Sequence, residues 1–481
     1  MRIPLPAIVG ALAAAAVAAA FLANGYQVFV IASVALTAMV AIGLNVLLGL
    51  AGQISLGHAA FYAIGAYTCA ILTTRLEWSF WLAFPLAGAI AGVAGALLAL
   101  PALRVRGPYL AMVTIAFGFV VEQSAAELRD LTGGWNGIMN IPRPALLGAT
   151  LDEAGIAVAS IVLVAVLVLL FARLEASRWG LAMRATRDAE VASQSIGLDL
   201  VRVRAAAFVL SAVLAGLAGA LFAVLNNFIS PESFPFFQSI TFLLVVLVGG
   251  PGTALGPVAG AIVVVLLPEM LGFLEEYRLL FFGALLLVVL LAAPEGIMGF
   301  VERRLAHRTP RTPRPAPEEA QAFLAGAAGP AELRVEGLSV AFGGTKAVSE
   351  VSLVARAGEV TSIIGPNGAG KTTLLNLIGG FYVPDAGAVR LGAQLLPRGR
   401  THRVARSGVA RTFQTTQLFA RMTVLENLLI ALPRGHDARL AEGLLAYVGY
   451  GGDVGQPAGR LPHVDRRLVE LARALAVRPK V

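Results

Sequence analysis

Residues 365–373 read Gly-Pro-Asn-Gly-Ala-Gly-Lys-Thr-Thr and satisfy the spacing G-x-x-x-x-G-K-[ST]. Glycines at 365, 368 and 370, around Asn367, let a backbone curl until its N–H groups converge on one anionic group. In such a loop the lysine, Lys371, reaches between β- and γ-phosphates, and the first hydroxyl, Thr372, next to Thr373, holds Mg²⁺. The chain has only three lysines, Lys346, Lys371 and Lys480, among 37 basic residues, so a lysine at 371 does not follow from composition. A compact ammonium between phosphates is a task that arginine performs poorly. The implied chemistry is the binding of ATP with Mg²⁺.

Such a loop needs a strand before it and a helix after it. Residues 332–364 alternate apolar and polar through Leu333, Val335, Val348, Val351 and Leu353, then Glu359–Ile364, which predicts strands. The last strand is expected to run into the glycine loop, and residues 372–378 to continue as a helix. A second domain therefore spans 331–481, after a proline-rich, charged linker over 304–330.

The first 303 residues are different in kind. The whole chain is 57% hydrophobic and 14% charged, against roughly 45–50% and about 25% in soluble domains. Apolar runs at 6–22, 28–50, 55–74, 80–101, 108–126, 155–172, 205–226, 238–250, 256–271 and 279–293 predict about ten membrane spans. The first run reads as a signal peptide or as a retained first span, and retention is the reading adopted. Arginines gather at Arg104 and Arg106, through Arg173–Arg204, and at Arg303, Arg304 and Arg308. Placing all three clusters in the cytoplasm puts both termini inside, with 127–153 and the Glu275–Glu276 turn outside. The net charge of +8 is therefore membrane charge bias, and no motif for nucleic acid accompanies it. A single cysteine, Cys69, excludes an intrachain disulfide and any cysteine-based metal cluster.

Small residues at Gly88/Gly92 and Gly252/Gly256/Gly260 have the spacing of close helix contacts, which an Ala/Gly-rich chain also produces by chance. Asn45, Gln53, Ser55 and His58 are polar groups in or beside apolar spans, and read as interhelical hydrogen bonds or as pathway lining. Residues 183–197, Met-Arg-Ala-Thr-Arg-Asp-Ala-Glu-Val-Ala-Ser-Gln-Ser-Ile-Gly, are amphipathic, with apolar residues for a groove and Arg184, Arg187 and Asp188 expected in water. An interfacial membrane helix is the other reading of that stretch.

Beyond the phosphate loop, the wording of the second domain resembles ABC transporter ATPases. Phe342, in Val-Ala-Phe-Gly-Gly, matches the aromatic that stacks on adenine, and is otherwise a strand-end core residue. Arg411-Thr-Phe-Gln414 matches the Q-loop, whose glutamine approaches Mg²⁺ and attacking water and senses the membrane domain. Residues 418–427, Leu-Phe-Ala-Arg-Met-Thr-Val-Leu-Glu-Asn, resemble the branched-chain amino-acid importer ATPases. Leu461-Pro-His-Val-Asp-Arg-Arg467 aligns with the family signature; Pro462, Val464 and Asp465 lie in it, with Val464 where glycine is expected. By the same resemblance, the strand carrying the Walker B aspartate and catalytic glutamate is expected to begin at residue 481, so the domain reads as C-terminally truncated, with nucleotide binding rather than turnover expected of these residues alone.

The membrane half resembles branched-chain amino-acid ABC importer permeases in five strings, at 43–60, 104–111, 131–137, 228–234 and 249–257. In that family the helix containing Arg184, Asp188 and Glu190, closed by Gly197, couples the permease to the ATPase near the Q-loop. The resemblance implies an all-α polytopic membrane domain over residues 1–303 followed by an α/β P-loop NTPase domain. The function it implies is ATP-driven uptake of branched-chain amino acids or related small solutes, such as amides or urea, across the bacterial cytoplasmic membrane. Its implied partners are a second permease subunit, a second ABC ATPase and a periplasmic or lipid-anchored solute-binding protein, within membrane lipid. The alternatives are a non-transporting membrane protein with a degenerate regulatory ATP-binding domain, which Val464 motivates, and an exporter.

Overall fold

The computed structural model describes residues 4–102, 108–146, 148–270, 277, 280, 283–284, 287–288, 291, 295–305, 311–313, 316–326 and 331–481. Arg104, Arg106, Arg308, the Glu275–Glu276 turn, the string 104–107 and much of the 279–293 run lie outside the described residues. The chain divides into two compact units: Met1–Met183 with Val201–His307, and Arg184–Leu200 with Arg308–Val481.

The first unit is helical. Its main elements are α1 (Leu5–Leu22), α2 (Gly25–Asn45), α3 (His58–Thr74), α4 (Phe80–Ala102), α5 (Pro108–Glu127), the single turn α6 (Arg129–Thr132) and α7 (Glu153–Ala176). After α8 (Arg178–Asp188) and α9 (Glu190–Ser195) come α10 (Leu200–Asn226), α11 (Phe236–Gly249), α12 (Gly256–Met270) and α13 (Gly296–Leu305). The longer of these helices are apolar on nearly every side, which suits burial or lipid rather than water, whereas α6 and α13 carry charged residues. Among the described residues seven helices, from Leu5–Leu22 to Pro231–Gly249, are long and apolar enough to cross a bilayer, and Gly256–Glu269 is a shorter apolar one. Helix ends are set by side chains where the chain leaves the apolar zone. Asn24 accepts from the Gln27 amide at the start of α2, and Asp152 accepts from the Gly155 amide at the start of α7.

The centre of this unit is α2, whose residues 38–45 are all buried, packed by α7, α11 and α12. Close approach follows from missing side chains. A Cβ on Gly260 would lie 1.9 Å from the Val245 carbonyl oxygen, and one on Gly249 would lie 1.9 Å from that of Gly256. Of the predicted glycine triplet, Gly256 and Gly260 thus seat α12 against α11, whereas Gly252 serves a turn at φ +87°. Of the intramembrane polar residues, Asn45 and His58 are bonded across elements, whereas the Oε1 of buried Gln53 meets no hydrogen-bond donor among the described residues. Asn45 donates from Nδ2 to the Thr253 carbonyl (2.9 Å) and accepts from the Gly252 amide at Oδ1 (2.7 Å). His58 lies between the hydroxyls of Ser55 (3.1 Å) and Ser211 (2.6 Å). Ser55 precedes α3 instead of opening it, because residues 51–57 form an irregular, largely buried segment.

Two short antiparallel pairs ornament this unit: β1 (Ile138–Met139) with β4 (Phe228–Ile229), and β2 (Ala145–Leu146) with β3 (Ala149–Thr150).

The second unit contains α8 (Arg178–Asp188, whose residues from 184 belong here), α9 (Glu190–Ser195) and α14 (Pro317–Ala325). Its sheet comprises β5 (Leu333–Phe342), β6 (Thr345–Ala355), β7 (Ala386–Leu391) and β8 (Gln394–Leu395), in the order β6-β5-β7-β8 and antiparallel throughout. Its later helices are α15 (Lys371–Ile378), α16 (Thr401–Arg406), α17 (Val424–Leu429), α18 (Ala438–Tyr447) and α19 (His463–Ala476). Inward residues of the sheet, Leu333, Val335, Leu338, Val340 and Val389, bury Leu374, Leu377 and Ile378 of α15. A second core joins α14, α17, α18 and α19 through Phe323, Leu428, Leu444, Leu445 and Val469.

One predicted strand does not form. Residues 359–364 are in no ladder, and Val360 and Ile364 are 97% and 91% exposed. Alternation satisfies only the side chains of a strand; its backbone needs a neighbour, and no described strand lies beside this segment.

Candidate nucleotide site and its supporting contacts

The glycine loop leads straight into α15. Gly368 and Gly370 have φ of +88° and +84°. At Gly370 a Cβ would also lie 2.3 Å from the Ala347 carbonyl oxygen, so both the turn and the approach to β6 require glycine. Gly370 is the N-cap of α15, and no side chain caps the helix. The first-turn amides are thus left for an external acceptor at the positive end of the helix dipole. The Lys371 ammonium folds across the loop and donates to the carbonyls of Gly365 and Pro366, both at 2.7 Å. Thr372 is exposed and Thr373 half-buried, one turn into the same helix, while Asn367 and Gly368 are exposed in the loop. An uncapped glycine cradle with one ammonium fits a polyphosphate, and the exposed Thr372 hydroxyl fits a metal ion beside it.

Phe342 ends β5 and is 47% exposed, its ring edge-on to Tyr382 at 5.3 Å, so it is not a core aromatic of the sheet. Gln414 is exposed, and no described contact joins its side chain to Lys371 or Thr372. Its backbone, by contrast, is held firmly. The Arg467 guanidinium donates to the carbonyls of Phe413 (2.5 Å) and Gln414 (2.6 Å). Glu470, 1% exposed, accepts from the Gln417 amide at 3.0 Å. Arg473, 2% exposed, donates to the Gln417 carbonyl and lies 4.8 Å from the Phe419 ring centroid. Burial pulls the Arg473 guanidinium down to about 10, with the Glu470 charge opposing the shift.

The signature-like residues open α19. Pro462 is its N-cap, Val464 is 69% exposed in the first turn, and Asp465 is the acidic residue of that turn.

Residues 184–200 form a bent element of the second unit. The bend is at Ala189, which has an extended backbone between α8 and α9, and the segment ends at Gly197 with φ +87°. Arg184 is ion-paired with Glu426 at 2.8 Å, their side chains only 18% and 24% exposed. The Asp188 side chain is 4% exposed and accepts from the Arg421 amide at 2.8 Å. Arg406 donates to the Gly197 carbonyl at 2.8 Å, and Asp199 faces His402 at 3.7 Å. Glu190 is half-buried in the first turn of α9. The expectation that Arg184, Arg187 and Asp188 stay in water is therefore corrected: the two arginine side chains are half-buried, that of Asp188 is buried, and all three are paired, because the receiving surface carries its own charges and backbone donors. Glu426, Arg421, Arg406, Arg467, Glu470 and Arg473 were not among the predicted site residues. The T-x-x-E spacing of Thr423 and Glu426 and the three-residue spacing of 467, 470 and 473 were the available signals.

Comparison with known proteins places both halves. Residues 26–290 match the family described as branched-chain amino acid transport system / permease component, and residues 348–481 match the ABC transporter family. The high-affinity branched-chain amino acid transport system permease protein LivM of Escherichia coli (strain K12) is 37% identical over 288 residues, covering 55% of this chain and 68% of that protein. The high-affinity branched-chain amino acid transport ATP-binding protein BraF of Pseudomonas aeruginosa is 37% identical over 169 residues, covering 31% of this chain and 66% of that protein. A solved nucleotide-free ATP-binding cassette from an ABC transporter is 35% identical, over 31% of this chain and 66% of its own length, with a TM-score of 0.28. The second unit thus matches just under two thirds of the length of its ATP-binding relatives. With seven candidate spans, the uncapped glycine loop and both family matches, this chain is a multi-pass membrane protein that belongs to the branched-chain amino acid transport system permease family and carries an ABC transporter ATP-binding domain on the same polypeptide.

Proposed function

We propose that this chain is the permease–ATPase subunit of an importer that takes up branched-chain amino acids, or related small solutes, across the cytoplasmic membrane. Residues 1–303 are the permease, 304–330 the linker and 331–481 the ATP-binding part. The observation that carries the reading is the uncapped N-terminus of α15 behind a glycine loop, in a chain whose other half belongs to a permease family. Bound MgATP supplies the free energy that alternating access consumes. The loop amides around Asn367, Gly368 and Gly370 and the Lys371 ammonium hold phosphate oxygens, with Thr373 supporting the same turn. Thr372 and Gln414 hold and sense Mg²⁺, and Phe342 lies against the base. Arg184, Asp188, Glu190 and Gly197 form the coupling element. A second permease subunit, a second ABC ATPase and a solute-binding protein complete the assembly. Pro462, Val464 and Asp465 face the nucleotide of that second ATPase.

The test is uptake of radiolabelled leucine by proteoliposomes containing this chain with its partner subunits. Lys371→Met is expected to abolish ATP-dependent uptake and to weaken nucleotide binding at least about tenfold, the loss of one charged phosphate contact. Uptake that is indifferent to Lys371→Met, or an assembly that carries no leucine, overturns the reading.

A further inference from the structure

The Gln414 segment is gripped from one side by a single helix. Arg467, Glu470 and Arg473 are three residues apart on α19, so each neighbours the next on a strip that winds slowly around the helix. Each engages the backbone of 413–417. Arg467 forks onto two consecutive carbonyls, Glu470 takes the Gln417 amide and Arg473 meets the Gln417 carbonyl. The rungs also brace each other, since Arg467 is 3.3 Å from Glu470. Glu470 and Arg473 are almost fully buried, at 1% and 2% exposed, so their charges are tolerated only because these partners are present.

The same grip continues to the surface that receives residues 184–188. The Arg473 guanidinium packs on Phe419. Phe419 is paired through both backbone groups to the Asn427 side chain, at 2.9 Å to its amide and 3.1 Å from its carbonyl. Asn427 follows Glu426, the partner of Arg184, and also donates to the Thr423 carbonyl at 2.9 Å. The Arg421 amide, bonded to Asp188, lies between Phe419 and Thr423. A route made of the Arg184–Glu426 ion pair, the step along the backbone to Asn427, the hydrogen bonds of Asn427 with Phe419, the Arg473–Phe419 cation–π contact and the bonds of Arg473, Glu470 and Arg467 therefore runs from the 184–188 segment to the carbonyl of Gln414.

We propose that Arg467, Glu470 and Arg473 are positioning residues that set the place of Gln414 and tie it to the docking of residues 184–188, so that movement of that segment is felt at the nucleotide. The proposal rests on the assignment of Gln414 to the Mg²⁺ end of the nucleotide site. Arg467 acts through the backbone of Gln414 and touches neither nucleotide nor metal.

The experiment uses the whole 481-residue chain in nanodiscs and compares Arg467→Met, Arg467→Lys, Glu470→Gln, Gln414→Ala and Asp188→Asn. Amide hydrogen exchange over 412–418 and ATP affinity with and without Mg²⁺ are both measured. Arg467→Met is expected to speed exchange in that segment about tenfold and Arg467→Lys less, because the lysine keeps one donor of the fork. The Mg²⁺-dependent part of ATP affinity is expected to fall about tenfold in Arg467→Met, as for a lost group that orients a metal ligand, with Mg²⁺-free affinity kept within about twofold. Adding Gln414→Ala to Arg467→Met is expected to cause no further loss, since both act through one group. Asp188→Asn is expected to speed exchange over 412–418 in the parent chain and to add nothing in Arg467→Met. Unchanged exchange in both Arg467→Met and Glu470→Gln, or effects that multiply with Gln414→Ala, overturns the proposal. If Gln414→Ala itself leaves the Mg²⁺ dependence untouched, the assignment of Gln414 falls instead, and the exchange data alone then decide whether the helix positions the segment. Glu470→Gln preserves the acceptor for Gln417, so it reports even if a more drastic change at this buried site prevents folding.

Discussion

Arg184 and Glu426 show how one contact serves two purposes. Glu426 Oε1 receives the Arg184 guanidinium at 2.8 Å, and its Oε2 accepts from the Thr423 amide at 2.9 Å, closing the capping box of α17. Both side chains are less than a third exposed, so solvent screens the pair only in part. A double-mutant cycle with Arg184→Met and Glu426→Gln is expected to return a coupling of about 1–2 kcal/mol. Glu426→Ala should cost about 1 kcal/mol more than Arg184→Met, because it also removes the cap. Thermal unfolding in nanodiscs measures both; equal losses would mean that the cap contributes nothing. Val464 poses a different problem, since its side chain is 69% exposed where α19 begins. Among the described residues it is left largely in solvent, so Val464→Gly should cost the helix under about 1 kcal/mol. If Val464 crowds the nucleotide of a partner ATPase, the same change should tighten ATP-dependent pairing by about 1–3 kcal/mol, the usual size of relieved overpacking. Analytical ultracentrifugation with ATP measures it, and unaltered pairing would remove Val464 from that interface.

At the scale of elements, the membrane helices and the glycine loop were legible because their signals are local. Apolar runs of about 20 residues can satisfy their backbones only as helices in lipid. The spacing from Gly365 to Thr372 specifies a loop and the start of a helix without outside help. Residues 359–364 failed as a strand for the opposite reason. Pairing is a non-local event, and apolar alternation through Val360 and Ile364 says nothing about whether a neighbour is present. The coupling segment was half legible. Its amphipathic pattern located it, but the burial of Asp188 depends on the Arg421 amide more than 200 residues away. The bend at Ala189 and the three-rung strip of α19 were likewise visible only once the elements were in place. One element-scale expectation follows from the α11–α12 contact. Gly260→Val forces a Cβ to within 1.9 Å of the Val245 carbonyl oxygen and cannot be relieved by a side-chain rotation. It should destabilise the membrane unit by more than about 3 kcal/mol, the upper range for overpacking. Loss of the monodisperse peak in size-exclusion chromatography reads it, and a normal peak would show that the helices separate without penalty.

At the scale of the whole molecule, the order of residues along the chain and the grouping of residues in space disagree at one place. Residues 184–200 are encoded between two membrane helices, α7 and α10, yet they belong to the compact unit that contains the glycine loop. Among the contacts that hold them there are Arg184 to Glu426, Asp188 to the Arg421 amide, Arg406 to Gly197 and Asp199 to His402. Their stability should therefore follow the ATP-binding unit rather than the helices that flank them in sequence. A ligand that binds only the folded form stabilises it by about 2.7 kcal/mol at a hundred times its Kd. Amides that exchange through opening of that unit should then slow by up to about 100-fold when ATP is added, in 184–200 as well as in 371–378 and 424–429. Amides in 205–226, within α10, should not respond, because the glycine loop belongs to the other compact unit. Lys371→Met should abolish the response in all three responding segments together. A response confined to the glycine loop, with 184–200 unchanged, would mean that this segment is not energetically part of the nucleotide-binding unit, and the route by which ATP reaches the permease would have to lie elsewhere.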